Sequence, residues 1–388
     1  MFSGILQTRQ MDKIKVLQAI RQGRFGGGET HVYDLSLNLN KNLFEPIVLS
    51  FTDGDMVRKL IDQNVQVHII NSKYPFDFRT LRKVKKLLRN ENIEIVHAHG
   101  TRAASNLVMP AKNKNLPLIY TVHGWSFNEN QKWPIRKARI AAEKWITSQT
   151  HKNICVGESN LDYGKKNIHQ LSAKVVPNGI SLDKFNYGLK SDFNLDRSGN
   201  EIWIGLIARI CYQKDPITLL KAFKKSLTYN GSLRLLLVGE GDMKSEVESY
   251  IESNSLTNFV RLEPFRRDIP EILKAIDIYC LPSLWEGLPI GLLEAMAMKK
   301  CCIASKVDGN IEVLSGGIGH LVPKQNVTAL SEAIIQLAND EKTRTTMGEL
   351  AYTKVKKLYS LDSMIKSIES IYSNLCNSNN LTSTYQHL

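Results

Sequence analysis

The sequence predicts an α/β protein made of two Rossmann-like domains that face each other across a central cleft. Three observations predict it. Short, nearly continuous apolar runs alternate with longer amphipathic segments, as in parallel sheets whose two faces are both covered by helices. A polar stretch without periodicity interrupts this alternation, which then restarts. The length of 388 residues suits two domains of roughly 150–200 residues each.

The apolar runs are the predicted strands. Those before the polar stretch are Ile14–Ile20, Pro46–Phe51, Val65–Ile70, Ile93–His97, Leu118–Val122, Asn153–Val156 and Lys174–Val176. Those after it are Ile202–Ala208, Leu233–Val238, Val260–Leu262, Ile278–Leu281, Cys301–Ala304 and His320–Val322. Helical periodicity lies between them. Because open parallel sheets bind ligands at the carboxyl ends of their strands, residues just after these runs are the candidate site residues.

The polar stretch divides the chain into regions. We predict a first domain over residues 1–182, a linker over 183–200 and a second domain over 201–376. Residues 377–388 form a polar tail. The last helix of the second domain is free to pack back onto the first.

Composition excludes several classes of protein. A hydrophobic content of 43% is too high for a mostly disordered chain. No run approaches the about 18 apolar residues of a membrane span, and the first residues lack the apolar segment of a signal peptide. The six cysteines show no C-x-x-C spacing and lie mostly in apolar runs, so they predict reduced core thiols in a cytosolic protein.

The net charge of +13 is unevenly distributed. Residues 1–190 hold 29 lysines and arginines against 15 aspartates and glutamates, whereas residues 191–388 hold 22 against 23. This asymmetry favours an anionic partner for the first half: nucleic acid, a membrane surface or a phosphate-bearing substrate. A surface that serves only solubility explains the composition equally well.

A glycine turn follows the first predicted strand. Gly26, Gly27 and Gly28 lie just before a helix that we expect to begin near Thr30. Glycines there let backbone N–H groups approach a phosphate at a helix N-terminus. The pattern is not G-x-G-x-x-G, so it does not predict a dinucleotide site, and a tight turn without a ligand is an equal alternative.

Histidines end two other strands of the first half. His97 and His99 close one run, and His123 with the following glycine closes the next. An imidazole at the edge of a cleft can bond a hydroxyl or a phosphate group. No carboxylate accompanies these histidines at metal-ligand spacing, so we predict no metal. A structural hydrogen bond is the alternative role for each histidine.

Two cations open the second half. Arg209 follows a strand, and Lys214 lies just before a helix that Pro216 begins. Together near a helix N-terminus they would hold a diphosphate and offset the charge that develops on a leaving phosphate. As an isolated pair they would be ordinary surface charges.

The most specific pattern surrounds two glutamates. It reads S-L-W-E-G-L-P-I-G-L-L-E-A-M-A, with Glu286 in a loop after a strand and Glu294 on the next helix. Because Glu294 interrupts an apolar helix face, it favours a binding role, such as holding two vicinal hydroxyls of a ribose. The backbone of Gly287, Leu288, Pro289 and Ile290 leads into the helix start, where it can meet a phosphate.

A basic, aromatic segment follows His123. It contains Trp125, Phe127, Lys132, Trp133, Arg136, Lys137, Arg139, Lys144 and Trp145. Interleaved tryptophans and cations suit a membrane interface, and they also suit single-stranded nucleic acid or an inert solvated face.

These patterns together resemble one family over about residues 13–375. The Glu286 to Glu294 spacing is similar to the E-x(7)-E signature of retaining glycosyltransferases with the GT-B fold, the group 1 glycosyltransferases of bacterial surface polysaccharides. Supporting matches are Gly26-Gly27, Arg209 with Lys214, Val176-Pro177-Asn178-Gly179-Ile180, Val238-Gly239-Glu240-Gly241 and Asp308-Gly309-Asn310-Ile311-Glu312-Val313.

The resemblance implies a role for each matching residue. Arg209 and Lys214 would bind the donor diphosphate and stabilise its departure, so that no metal and no other cofactor is needed. Glu294 would hold the ribose, Glu286 would lie against the donor sugar, and His123 would lie near the reacting sugar. Gly26 and Gly27 would approach the phosphate from the first, acceptor-side domain, and the second domain would bind the nucleotide sugar.

The resemblance further implies a cytoplasmic hexosyl- or N-acetylhexosaminyltransferase, peripheral on the inner face of the plasma membrane. The donor would be a nucleotide-diphosphate sugar, with UDP favoured, and the acceptor a saccharide such as a polyprenyl-diphosphate-linked one. Trp125, Lys132, Trp133, Arg136 and Lys137 would form the acceptor or membrane side, and an anionic membrane, not nucleic acid, would be the partner.

The alternatives are a nucleotide-sugar 2-epimerase of the same fold and a nucleic-acid-binding protein that uses the basic half. The chain departs from the family in one loop, where Lys299 and Cys301 replace the usual glycine and proline.

Overall fold

The chain forms two compact units, each built on its own parallel sheet, in a computed structural model. The structure describes residues 13–129, 131–188 and 190–384, with side chains to residue 376, so predictions about residues 1–12 and 385–388 lie outside it. The first unit contains the chain up to Ile154, Asn167–Lys174 and the chain from Ile365. The second contains Cys155–Lys166 and Val175–Met364.

The first sheet has strand order β3-β2-β1-β4-β5-β6-β7. Its strands are β1 Ile14–Ile20, β2 Phe44–Ser50, β3 Gln66–Ile69, β4 Ile95–His99, β5 Leu118–Val122, β6 Lys152–Cys155 and β7 Lys174–Val175. The helices in this part of the chain are α1 Gly27–Asn38, α2 Asp55–Asp62, α3 Leu81–Asn90, α4 Thr101–Lys112, α5 Trp133–Gln149 and α6 Glu158–Asn167. Several predicted bounds shift by one to three residues, and two of these shifts bear on the candidate site residues. Helix α1 begins at Gly27 instead of near Thr30, and β4 starts and ends two residues later than predicted, which places His97 inside the strand.

The second sheet has strand order β10-β9-β8-β11-β12-β13. Its strands are β8 Ile202–Ile207, β9 Leu233–Val238, β10 Val260–Glu263, β11 Ile278–Leu281, β12 Cys301–Ser305 and β13 His320–Val322. The helices that follow along the chain are α7 Pro216–Leu227, α8 Lys244–Ser253, α9 Ile269–Ala275, α10 Ile290–Ala297, α11 Asp308–Leu314, α12 Val327–Asn339, α13 Glu341–Leu358 and α14 Leu361–Thr384.

Both sheets are buried on both faces, which explains why their strands read as apolar runs. Every residue of β4, β5, β11 and β12 is buried, so these strands do not alternate between apolar and polar positions. The strand order of each sheet reverses at its first strand. Strand β1 lies between β2 and β4, and β8 lies between β9 and β11. This switch point is where open parallel sheets bind ligands.

The connecting segments have simple local structure. Within 183–188 and 190–200, the described parts of the predicted linker, there is neither helix nor strand. Helix α14 continues to Thr384, into the predicted polar tail, and from Ile365 onward it belongs to the first unit.

All six cysteines are free thiols, and five of them are buried. No helix among the described residues is long and apolar enough to cross a membrane.

Candidate active site

The cations of the second unit lie after β8, as predicted. Arg209 is exposed two residues beyond that strand, and Lys214 ends a single turn of 3-10 helix, Tyr212–Lys214. Asp215 then takes a left-handed conformation with φ of 48° and accepts a hydrogen bond from the Thr218 backbone at 3.3 Å. Asp215 thereby caps α7, which Pro216 begins, so Lys214 is held at a helix N-terminus.

Lys214 is paired with the first glutamate of the motif. Its Nζ atom lies 2.5 Å from Oε1 of Glu286, and the two side chains are only 19% and 7% exposed. Gln213 ties the same two loops together, since its side-chain amide donates to the Trp285 carbonyl at 2.8 Å and its own carbonyl accepts from the Leu284 N–H at 2.8 Å. The loop after β8 and the loop after β11 therefore form one hydrogen-bonded assembly.

Glu294 lies on the second turn of α10 and is half-buried. The intervening residues Gly287, Leu288, Pro289 and Ile290 form the loop and the start of that helix, with Pro289 as its N-cap. The sequence-based placement of both glutamates is thus what the structure shows. Their roles in binding remain predictions.

Tyr279 is a site residue that the sequence reasoning missed. It lies in β11 and is almost completely buried, and a Cβ atom added to Gly291 would come within 2.7 Å of its hydroxyl oxygen. Burial raises the pKa of Tyr279 well above its usual value, and the nearby carboxylates of Glu294 and Glu286 raise it further. Tyr279 therefore keeps its proton beneath the two glutamates. A tyrosine inside an apolar strand carries no sequence signal for such a position.

Two glycines bring a further loop against the cations. Cβ atoms at Gly239 and Gly241 would lie 2.0 and 1.9 Å from the carbonyl oxygens of Ala208 and Ile210. Those carbonyls flank Arg209, so the V-G-E-G segment packs directly on the arginine loop. No side chain larger than hydrogen fits there.

Glu312 has a packing role that the motif alone did not indicate. Its carboxylate accepts hydrogen bonds from the backbone N–H groups of Glu158 and Ser159, each at 2.9 Å, and from the Ser159 hydroxyl at 2.6 Å. A Cβ atom at Gly157 would lie 2.8 Å from the same carboxylate. Glu312 therefore satisfies the free N–H groups at the start of α6 within the second unit.

In the first unit the glycine turn and a predicted histidine meet. Gly26 is the N-cap of α1, Gly27 is its first residue, and a Cβ atom at Gly28 would lie 3.2 Å from Cδ2 of His123. The absence of a side chain at Gly28 is what lets the imidazole of His123 lie against the helix start.

Four imidazoles are packed together beside this turn. The ring centroids of His31 and His123 are 4.8 Å apart, those of His99 and His123 are 5.4 Å apart, and those of His97 and His99 are 4.1 Å apart. Burial lowers the pKa of His97, His99 and His123 well below the usual value, so these rings are neutral near pH 7. His31, on α1, was missed because a lone histidine in a helix carries no signal.

The histidines also have the spacing of a metal site. One ligand atom from each of His31, His99 and His123 lies within 4.8 Å of the others. Neutral imidazoles suit zinc and other transition metals. The sequence-based expectation of no metal therefore needs a direct test.

The predicted acceptor or membrane side lies on and before α5. Lys132, Trp133 and Lys137 are exposed, and Nζ of Lys137 lies 4.0 Å from the centroid of the Trp133 ring. Arg136 donates to Asn167 at 2.6 Å, and Trp125 is half-buried. Only part of this group, then, is a free surface.

Known families cover most of the chain. The model described as "Glycosyl transferases group 1" matches residues 190–354, and the model described as "Glycosyltransferase Family 4" matches residues 25–184. Residues 190–354 contain Arg209, Lys214 and the two glutamates of the motif, and residues 25–184 contain Gly26, Gly27 and His123.

Curated relatives and solved structures are of the same kind. The chain is 26% identical over 307 residues to the Escherichia coli UDP-Gal:alpha-D-GlcNAc-diphosphoundecaprenol alpha-1,3-galactosyltransferase, covering 76% of this chain and 79% of that one. It is 24% identical over 371 residues to the gpi3 subunit of the Schizosaccharomyces pombe phosphatidylinositol N-acetylglucosaminyltransferase, covering 92% and 79%. HepE of Anabaena, solved with UDP and glucose, superposes with a TM-score of 0.80 at 19% identity, covering 93% of this chain and 99% of that one. The predicted GT-B fold is confirmed.

Proposed function

Because the chain belongs to the group 1 glycosyltransferases of the GT-B fold, we propose that it moves a hexose or an N-acetylhexosamine from a UDP-sugar to a saccharide acceptor carried on a polyprenyl diphosphate. The configuration of the transferred sugar is retained, and the product serves surface polysaccharide biosynthesis. The E. coli relative, whose name specifies a UDP-sugar donor and a diphosphoundecaprenol-linked acceptor, supports this choice of substrates.

The observation that carries the proposal is the assembly around Lys214. Lys214 at the start of α7 and exposed Arg209 lie on one loop, and the Lys214–Glu286 pair joins that loop to the glutamate motif. Two cations beside a helix N-terminus suit a diphosphate, and Glu294 beyond them suits the ribose hydroxyls. The same few residues thus offer partners for the diphosphate and for the ribose of a nucleotide-diphosphate sugar.

In the reaction, the bond between the sugar C1 and the diphosphate oxygen breaks, and a bond between C1 and an acceptor oxygen forms. The electron pair of the broken bond leaves with the nucleoside diphosphate, whose oxygen takes on negative charge, and the acceptor hydroxyl gives up its proton to that oxygen or to water. Arg209 and Lys214 stabilise that charge as it develops. We assign no resident metal to this step, because these two cations supply the positive charge themselves.

The surface of the first unit favours a membrane-bound acceptor. Helices α3, α4 and α5 pack side by side and contain eleven lysines and arginines. Their single acidic residue, Glu143, is fully buried, where it accepts hydrogen bonds from Thr101 and Tyr120. Exposed Trp133, Ile135 and Met109 lie on the same helices. Cations with exposed apolar side chains suit the anionic inner face of a plasma membrane, on the cytoplasmic side.

The test is product formation from a panel of UDP-sugars with acceptors of defined chemistry. The acceptors are an N-acetylglucosaminyl diphosphoprenol, phosphatidylinositol and a free saccharide. We expect acceptor-dependent release of UDP with the prenyl-linked acceptor, activity that persists in EDTA, and an anomeric NMR signal of the same configuration as the donor. Transfer to phosphatidylinositol alone would instead favour the chemistry of the fission-yeast relative.

Matched variants test the site assignment. Lys214→Ala should lower kcat/KM by about a hundredfold or more, as expected when a charged partner of the transition state is lost. Glu294→Ala should lower kcat/KM chiefly by raising the KM for the UDP-sugar, because the ribose hydroxyls lose the partner that we assign to them. Lys221→Ala removes an exposed lysine from the same helix as a control and should leave transfer unchanged. Full activity in Lys214→Ala would contradict the diphosphate role, and a UDP-sugar epimer formed without any acceptor would favour the 2-epimerase.

A further inference from the structure

A buried chain of hydrogen bonds runs from His123 through the centre of the first unit. Nε2 of His123 lies 3.1 Å from Nδ1 of His99, and Nε2 of His99 lies 2.9 Å from the side-chain oxygen of Gln18. The Gln18 amide nitrogen donates to the Tyr372 hydroxyl at 2.7 Å. From Tyr372 the chain continues to Nδ1 of His97 at 2.7 Å.

The fold places these groups on one face of the sheet. Gln18 on β1 is in register with His97 on β4, and His99 is in register with Thr121 on β5. Tyr372 comes from α14, which returns to this unit from the end of the chain. The five side chains Gln18, His97, His99, Thr121 and Tyr372 are all fully buried. Water therefore does not compete for these hydrogen bonds.

The order of donors and acceptors along this chain follows from the Gln18 amide. Its oxygen can only accept, so Nε2 of His99 must carry a hydrogen. In a neutral ring Nδ1 of His99 is then an acceptor, so the hydrogen between the two histidines belongs to Nε2 of His123. His123 is left with a bare lone pair on Nδ1. The reverse amide orientation would invert every one of these assignments.

The far branch obeys the same rule. The Tyr372 hydroxyl accepts from Gln18 and so donates its own hydrogen to Nδ1 of His97. The other nitrogen of His97 then donates to the Thr121 hydroxyl oxygen at 2.7 Å. Each buried group in the chain of hydrogen bonds has a partner of the matching kind, and the Tyr372 hydroxyl is the acceptor for the Gln18 amide nitrogen.

A separate observation at His123 agrees with this order. Its Nδ1 atom is buried and has no hydrogen-bond partner among the described residues. A buried nitrogen that carries hydrogen but lacks an acceptor is rare in proteins, whereas an unpaired acceptor is tolerated more often. The unpartnered Nδ1 is therefore the atom expected to lack a hydrogen.

We propose that His99, Gln18 and Tyr372 are positioning residues that fix His123 as its Nε2–H tautomer, so that Nδ1 accepts a hydrogen bond from a hydroxyl group of the bound substrate. The identity of that hydroxyl, on a sugar, rests on the proposed function. The tautomer itself does not, because it follows from the protein groups alone.

The test is ¹⁵N NMR of histidine-labelled, chelator-treated enzyme without substrate. The resonances of His123 are assigned by their loss in His123→Gln. We expect a protonated Nε2 and an unprotonated Nδ1 for His123 in the wild type. A protonated Nδ1 would overturn the proposal, as would the release of a metal ion from His123 by the chelator. If the tautomer is as expected but no UDP-sugar is used, only the proposed function fails.

Substitutions distinguish positioning from packing. Tyr372→Phe keeps the ring but frees the Gln18 amide, so we expect both tautomers of His123, with kcat falling in proportion to the lost Nε2–H fraction. Tyr120→Phe removes another buried tyrosine hydroxyl of the unit, one that donates to Glu143 at 2.9 Å, and should leave the tautomer unchanged. An unmixed Nε2–H signal in Tyr372→Phe would overturn the role of Tyr372.

Gln18 offers a second pair of variants. Gln18→Glu keeps an oxygen acceptor for His99 and should keep the Nε2–H tautomer of His123, whereas Gln18→Met removes both partners and should give a mixture. If Gln18→Met does not fold, the Tyr372→Phe result decides the question alone. Mixed tautomers in Gln18→Glu with a single tautomer in Gln18→Met would contradict the proposed order.

Discussion

The ammonium group of Lys214 lies 2.5 Å from a carboxylate oxygen of Glu286, and both side chains are largely shielded from water. In this arrangement the cation that we assign to the donor diphosphate is already neutralised. A bound diphosphate must therefore share Lys214 with Glu286. We therefore expect the pair to bind the nucleotide less tightly than an unpaired lysine would, while it holds in place the carboxylate that we assign to the donor sugar.

Replacing Glu286 with glutamine should separate binding from transfer. Glu286→Gln removes the competing charge but keeps the shape, so we expect UDP to bind about tenfold more tightly by isothermal titration calorimetry. Sugar transfer should fall, because the variant loses the carboxylate that we assign to the donor sugar. Weaker UDP binding in this variant would contradict the competition. Glu349→Gln removes an exposed carboxylate that pairs with Lys299 in the same unit and serves as the control.

A methyl group at Gly28 should disturb His123 without harming the fold. The added Cβ would lie 3.2 Å from the imidazole, so the ring must move by a few tenths of an ångström. Alanine is favoured over glycine within a helix by about 0.5–1 kcal/mol, so we expect an unchanged or higher Tm for Gly28→Ala. Transfer should fall about tenfold, since small displacements of reacting groups are costly.

Gly231→Ala provides the control for this experiment, because no atom lies within 4 Å of a Cβ atom built at that position. It should leave the rate of transfer unchanged. A Gly28→Ala variant with full activity would show that His123 tolerates the shift, and its position would then not limit the reaction.

The strands of this protein could be predicted from its sequence, whereas most of its polar contacts could not. Strands buried on both faces must be apolar along their whole length, so β1, β5, β9, β11 and β13 were predicted with the bounds that the structure shows. The two glutamates were placed correctly, in a loop and on the next helix, because they are only eight positions apart and a helix begins between them. Such local patterns need no knowledge of distant contacts.

Contacts between distant parts of the chain could not be predicted. Gln18 and Tyr372 are 354 positions apart, and each is an ordinary residue in an apolar or amphipathic run. Their hydrogen bond exists only because α14 returns to the first unit. Likewise, nothing local to Glu312 indicates that it caps a helix that begins at Glu158. Neither Gln18 nor Glu312 stands in a sequence pattern that identifies its distant partner.

Lys299 stands where the family usually has glycine, in the loop after α10. Lys299 adopts the left-handed conformation, with φ of 55°, that glycine accepts without strain. Its ammonium compensates by contacting Glu349 at 2.7 Å and by lying 3.7 Å from the centroid of the Tyr187 ring. Lys299 therefore holds a backbone conformation that suits glycine, with contacts that glycine could not make.

Two substitutions at Lys299 should separate these effects. Lys299→Ala loses the contacts and keeps the backbone strain, whereas Lys299→Gly loses the contacts and relieves the strain. We expect the glycine variant to exceed the alanine variant by about 1 kcal/mol in the free energy of unfolding from urea titration. Equal stabilities would mean that the positive φ costs nothing in this loop.

Acid should destabilise the first unit through its buried histidines. Burial lowers the pKa of His97, His99 and His123, so the unfolded chain binds protons more readily than the folded unit once the pH falls below the usual histidine value. The free energy of unfolding is therefore highest above about pH 7 and decreases as the pH falls below about 6.5, by up to ~1.4 kcal/mol per pH unit for each histidine.

The measurement is urea unfolding at several pH values between about 7.5 and 5.0, the range in which an ordinary histidine changes its charge. His97→Gln should reduce the slope of the free energy of unfolding against pH by up to ~1.4 kcal/mol per pH unit, the contribution of one proton. His169→Gln, which replaces an exposed histidine of the same unit, should leave it unchanged. A wild-type stability that is flat over this range would show that the buried rings titrate normally.

The binding of an anionic membrane by α3 and α5 that we propose should depend on both charge and apolar contact. Lys83→Gln with Lys86→Gln removes two exposed charges of α3, which should lower partitioning onto anionic liposomes about 30-fold at low salt, since each cation contributes about 1 kcal/mol. Trp133→Ala should lower it further at high salt, where charge is screened and the exposed ring contributes most. Lys221→Gln and Tyr229→Ala make the same kinds of change on the second unit and should have no effect. If the wild type fails to float with anionic liposomes even at low salt, the basic helices serve another anion or solubility alone.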